Sequence, residues 1–144
     1  MATSERIIAN NVVFKLPTTD YAGDLNSIEF VTEDAPGGVR TFGDFQAEQM
    51  WKATLSGITS GEATSLFRVL MAAYGDELDF EVAPQGGSAG ADAPHYEGTL
   101  MIDALPPISL TAGDTAQFSI TLSVKNTEHN PAGGVFWGLS VVTA

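Results

Sequence analysis

Gly86, Gly87, Ser88, Ala89 and Gly90 fit the G-x-S-x-G pattern of a nucleophile elbow, in which a strained strand-to-helix turn exposes a serine hydroxyl for attack on an acyl carbon. Asp103 or Asp114, then His129, even follow in the serine, acid, histidine order of that chemistry. The elbow needs a helix directly behind it. Here Ala91, Asp92, Ala93 and Pro94 continue a loop, and no alternation of strands and helices is present to build a hydrolase sheet. No catalytic residue is therefore assigned, and the chain is not expected to be an enzyme. His95 and His129 have no cysteine and no close second histidine with which to assemble a zinc set. A different grouping, Glu77, Asp79 and Glu81, puts carboxylates on one strand face at a spacing of roughly 6 to 7 Å, where they repel one another. The loop ligands and glycine of an EF-hand are missing, so these carboxylates read as a solvated face. Neither metal nor cofactor is expected.

The elements that carry these residues are strands. In 117–124, Phe118, Ile120, Leu122 and Val124 alternate with Gln117, Ser119, Thr121 and Ser123, a period of two that a helix would smear round its circumference. Tyr96, Leu100 and Ile102 alternate in the same way with Glu97, Thr99 and Asp103. Pro106 and Pro107 break the connection between the two runs, since neither can donate to a ladder. Earlier in the chain, 11–16 forms a short apolar strand ended by Pro17, and turn-rich 18–43 encloses a strand at 25–32. The segment 46–56 alternates up to Gly57, which marks its end. The segment 77–82 places Leu78, Phe80 and Val82 inward, and 135–143 reads as one closing strand with Val135, Trp137, Leu139 and Val141 on one side. Trp51 and Trp137 both read as buried.

One helix is expected, over about 60–74. Thr59 and Glu62 form a capping box ahead of Ala63, Leu66, Phe67, Leu70, Met71 and Tyr74, and Gly75 stops it. At 1.5 Å per residue it would run roughly 22 Å and cover one sheet face. The loop 84–94 is small-residue and mobile, and 1–10 reads as an arm. The expectation from the residues is thus a single domain over 1–144, mainly β, with one α-helix.

Eighteen acidic residues against six basic ones give a formal charge of −12. Binding to phosphate backbones rests on clustered cations, and Arg6, Lys15, Arg40, Lys52, Arg68 and Lys125 are scattered. The acidity reads either as solubility, or adaptation to salt, or as a surface that repels a polyanion. Without cysteine the fold rests on packing rather than on disulfides. No basic region followed by an apolar stretch marks a Sec-type signal, and no apolar run is long enough to span a bilayer, so a soluble protein is expected.

The order of strand, polar hairpin region, strand, capped helix, strand, loop, Y-x-G-T-L-x-I strand, proline connection and A-G-D-x-A-x-F-x-I-x-L-x-V resembles the major tail tube proteins of long-tailed bacteriophages. Trp51, Lys52, Ala53, Thr54 and Leu55, through Leu66 and Phe67 to Phe80 and Pro84, add to the likeness, which covers about 12–124. The resemblance implies two packed antiparallel sheets, a β-sandwich or barrel, flanked by the one α-helix at about 60–74, and a structural virion protein of the tail, made in the host cytoplasm. Its copies would close into hexameric rings stacked as a hollow tube around the tape-measure protein, with tail-end proteins as further partners. Double-stranded DNA would pass through without specific binding, and no membrane is involved. On that footing the candidate lumen-facing residues are Glu77, Asp79, Glu81, Glu97, Asp103, Gln117, Ser119, Thr121 and Ser123. The candidate ring-stacking contacts are Ile7, Ile8, Tyr21, Pro36, Arg40, Gln85 and Ser88. The alternative is a β-sandwich binding module that recognises carbohydrate or a host surface, with exposed aromatics as its signature.

Overall fold

Period-two alternation is realised strand by strand in a computed structural model that describes residues 7–34, 49–127 and 129–143. Among these the order is β1 (Val13–Leu16), β2 (Thr19–Asp20), β3 (Leu25–Asp34), β4 (Gln49–Ile58), α1 (Leu66–Ala72), β5 (Glu77–Ala83), β6 (His95–Met101), β7 (Gln117–Val124), β8 (Val135–Phe136) and β9 (Leu139–Val142). The fold is mainly β with one helix. All strand pairs are antiparallel, and the main path runs β2-β1-β5-β6-β7-β4-β3. The expected two sheets are therefore one hydrogen-bonded network.

That network curls on itself. β3 and β5 stand four places apart in the order, which would hold them about 19 Å apart in a flat sheet at ~4.8 Å per strand. Phe30 of β3 nevertheless stacks on Phe80 of β5 with ring centroids 5.3 Å apart. The concave side holds the core: Phe14 and Leu16 from β1, Leu55 from β4, Phe80 and Val82 from β5, Leu100 from β6, and Phe118, Ile120, Leu122 and Val124 from β7, closed by Leu66, Phe67 and Leu70 of α1. Phe67 meets Phe118 edge-on at 5.6 Å.

The sheet also forks. β6 pairs with β9 through His95, Tyr96 and Glu97, and with β7 through Leu100 and Met101. Gly98 lies between the two sets of partners. A Cβ there would sit 2.9 Å from the Phe80 ring and 3.0 Å from the Gly138 carbonyl oxygen, so the close approach of ring and turn to the β6 backbone demands glycine.

The helix is shorter than its apolar stripe suggests. α1 has seven residues, its N-cap is Ser65, and Ala63 and Tyr74 are exposed. The cause lies far away in sequence. Thr59 N–H donates to Ala116 C=O at 2.9 Å, extending the β4–β7 ladder and removing Thr59 from capping. The Asp24 carboxylate instead accepts from Leu66 N–H at 2.9 Å, and Ser65 Oγ accepts from Arg68 N–H at 3.4 Å. Together they satisfy donors that every helix start leaves open. The expected box between Thr59 and Glu62 does not form.

Two glycines mark further corrections. β4 runs through Gly57 instead of ending there, because a Cβ at that position would collide with the Asp24 carbonyl. The single closing strand is a hairpin. Trp137 (φ 53°) and Gly138 (φ 96°) both adopt left-handed backbone between β8 and β9, the conformation of a tight primed hairpin turn. Trp137 is consequently half-buried, as is Trp51, whose indole N–H donates to Phe136 C=O at 2.7 Å.

Phe118→Ala is expected to cost about 3 to 5 kcal/mol through the cavity it leaves, and Gly98→Ala about 1 to 3 kcal/mol through overpacking against Phe80. Urea unfolding measures both. A neutral Gly98→Ala would show that the fork does not depend on the close approach.

Candidate functional site

Because successive residues of a strand point to opposite faces, burying one face of the curl fixes what the other presents. On the convex side, β4 contributes Lys52, Thr54 and Ser56, opposite Ser123, Thr121 and Ser119 of β7 in register. The side chains bond across the strands. Thr54 and Thr121 hydroxyls lie 3.1 Å apart, Ser56 Oγ donates to Ser119 Oγ at 3.1 Å, and Lys52 Nζ donates to Ser123 Oγ at 2.7 Å. Ser123 Oγ donates onward to Asp103 Oδ2 at 2.7 Å, and Glu33 of β3 stands 3.8 Å from the same ammonium. The result is a ladder of hydroxyls that ends in one cation, bonded to Ser123 and paired with Glu33, with Asp103 joined to it through the Ser123 hydroxyl. Hydrogen bonds between opposite threonines and serines stabilise strand pairs and turn hydroxyls towards one another rather than outward.

The carboxylate face expected on β5 forms, and each member has its own partner. Glu77 Oε2 accepts from Lys125 Nζ at 3.1 Å, Asp79 Oδ1 accepts from Thr99 Oγ1 at 3.0 Å, and Glu81 Oε1 meets His95 Nδ1 at 2.8 Å. The mutual repulsion expected of these three is thus offset by a separate partner for each. Register explains the third contact. Glu81 lies directly opposite Glu97, a like-charge pair that costs stability, and His95 beside it supplies a donor to Glu81. A carboxylate can only accept, so Nδ1 carries the proton. Among the described residues, the buried His95 Nε2 has no hydrogen-bond partner.

The nine candidate wall residues fall on this one convex side. Glu77, Asp79, Gln117, Ser119, Thr121 and Asp103 are exposed and Glu81 and Glu97 half-buried, while Ser123 is buried under Lys52 and Asp103. Lys52, Thr54 and Ser56 belong with them and were missed by reading β7 alone. Their alternation in β4 is visible in sequence; the register that sets them against β7 is not.

The candidate stacking residues scatter. Ile7 and Ile8 are 52% and 71% exposed, and Ser88 is exposed in the loop after β5. Tyr21 packs against the core, with its N–H on Phe14 C=O at 2.7 Å, and Gln85 buries its carbonyl oxygen. Pro36 and Arg40 lie outside the described residues. The loop that holds Gly86 to Gly90 closes a small bridge between Gly90 and Ala93 and leads into strand β6 rather than a helix. Among the described residues, no group of three or more His, Asp or Glu could hold a metal ion, and no helix is long and apolar enough to cross a membrane.

Compared with known proteins, the chain matches no family model and has no significant match among characterised proteins.

Ser123→Ala removes a buried hydroxyl that joins Lys52 to Asp103 and is expected to cost about 1 to 2 kcal/mol. Ser119→Lys, at an exposed rung, should change stability by less than ~0.5 kcal/mol. Denaturant midpoints of the two variants decide the matter, and the reverse ranking would mean that the network at Ser123 is not a structural tie.

Proposed function

We propose that this chain is the subunit of a hollow, DNA-conducting tube of the phage-tail type, self-assembled as stacked hexameric rings. The observation that carries the reading is the division of one curled sheet into an apolar side that packs the core and a broad convex side of paired hydroxyls and carboxylates. Such a side suits a wall past which a polyanion slides. Its hydroxyls are bonded to each other and offer few free donors to phosphate, while its two lysines are each held by a carboxylate or hydroxyl. In a narrow lumen the remaining carboxylates would face DNA within or near the ~8 Å physiological screening length and repel it.

Ring closure needs a heterologous interface, and main-chain pairing at a strand edge is one means of making it. β3 offers such an edge: it is ten residues long and, among the described residues, pairs only with β4. In this reading the protein is a structural component of the virion tail, made in the host cytoplasm. Its partners are further copies of itself, the tape-measure protein, the tail-end proteins and transiting double-stranded DNA, and it carries no catalytic role.

A second reading, a carbohydrate- or surface-binding module, gains support from one place. His129 stacks on Trp137 at 4.3 Å and 11° at the tip of the β8–β9 hairpin, where Trp137 holds a positive φ that a bulky residue rarely adopts.

Negative-stain microscopy of concentrated protein separates the two. Rings or tubes of uniform bore are expected, and a dispersed monomer at every concentration would sink the tube reading. If tubes form, Ser119→Lys and Thr121→Lys should still assemble but retard DNA passage through the tail. Unimpaired delivery by both variants would remove this side from the lumen.

A further inference from the structure

We infer that the loop between β6 and β7 of one copy seats in a cleft beside β3 of another, making a head-to-tail contact between subunits. The inference rests on the proposed self-assembly and names the surfaces that would carry it.

The loop is apolar where it should not be. Leu105, Ile108 and Leu110 are 54%, 69% and 76% exposed, and, among the described residues, no backbone hydrogen bond ties 104–110 to the rest of the chain. It is held at its ends and by one pin. Ile102 N–H donates to Asp76 C=O, Thr59 N–H to Ala116 C=O, and Pro106 is buried. The loop therefore projects from a fixed base as a knob of large side chains.

The cleft has a volume of about 610 Å³ and opens where the curl brings β3 towards the other end of the sheet. Leu25, Ile28 and Phe30 form one wall, and Val12, Val82 and Tyr96 the other. The loop leaves β6 after Met101, at the end of the β5–β6 hairpin away from Val82 and Tyr96, and its exposed side chains are not among those lining the cleft.

Charge identifies the occupant. At −12 per chain, copies repel one another, and a contact between surfaces free of carboxylates adds least to that repulsion. Among the described residues no charged one lines the cleft, and the loop 104–116 carries a single one, Asp114, beyond its apolar part. A cationic partner would be drawn to the β5 face instead. Knob and cleft are different patches of one chain, so their union is heterologous and propagates into a closed ring or an open stack.

The chain has no cysteine, which makes disulfide trapping direct. Ile108→Cys places a thiol on the knob, and Asn26→Cys places one on the exposed lip of the cleft. A disulfide forms only where the two backbones come within about 7 Å. Under mild oxidation, mixing the two single variants should give a covalent dimer, each alone should give none, and the double variant should give a ladder. Ile108→Asp should weaken association at least tenfold with an unchanged unfolding midpoint. A dimer from Ile108→Cys alone would overturn the inference in favour of a symmetric loop-to-loop contact. Rings or tubes by microscopy without the mixed dimer would overturn it while leaving the tube reading in place. A ladder without rings or tubes would uphold the contact and sink the tube. Dispersed monomer with no cross-link would sink both.

Discussion

The ring of Phe80 lies close against the bare backbone of Gly98 and stacks with the ring of Phe30, and the rest of the structure depends on those two contacts. A glycine in a strand forfeits side-chain packing and conformational entropy, and covering it with an aromatic ring from the neighbouring strand restores the lost contact. Here the cover does more. By drawing Phe30 across, it folds a seven-strand path into a curl with one enclosed side, so the core needs only one short helix to close it. Gly98 is also where β6 changes partners from β9 to β7, and the Gly138 carbonyl of the β8–β9 turn comes within 3.0 Å of where its side chain would be. Curl and fork meet at one residue without a side chain.

Once the concave side is committed to packing, the chemistry of the convex side follows from register. A slip of one residue between β4 and β7 would exchange Thr54 and Thr121 for Ala53 and Leu122, turning the whole apolar set outward. The hydroxyl rungs are thus tied to the same alignment that buries Leu55 and Ile120. On β5 and β6 the alignment sets Glu81 against Glu97, and the histidine at 95 relieves it. The acidic and the uncharged parts of this side share one sheet, yet they differ in kind: on β5 each carboxylate has its own hydrogen-bond partner, while the hydroxyls of β4 and β7 bond one another.

The alternating runs were legible in sequence because burial of a single face leaves its period in the residues. β3, β5, β6 and β7 fall within a few positions of where alternation puts them, and Phe118, Ile120, Leu122 and Val124 are all buried. What was illegible depends on contacts distant in the chain. The helix start is set by Asp24 and by the tie of Thr59 to Ala116, not by the local capping pattern. Gly57 reads as a stop, yet it serves close passage of the chain at Asp24. The closing hairpin was missed because Trp137 completes an unbroken alternation whose meaning is reversed by two positive φ angles, and Gly138 was the signal available. The continuity of the sheet and the pairing of hydroxyls between β4 and β7 require register, which no single strand encodes. The network joining Lys52, Ser123 and Asp103 is of this kind.

The hydroxyl ladder has one further consequence. Serine and threonine do not ionise in water at any pH a protein survives, and a neutral surface gathers no counterion cloud. The stretch from Ser56 and Ser119 to Thr54 and Thr121 therefore keeps the same character in dilute buffer, in brine, in acid and in alkali. The carboxylates of β5 lose their reach in salt. Across such changes of medium the hydroxyl part of the surface stays constant.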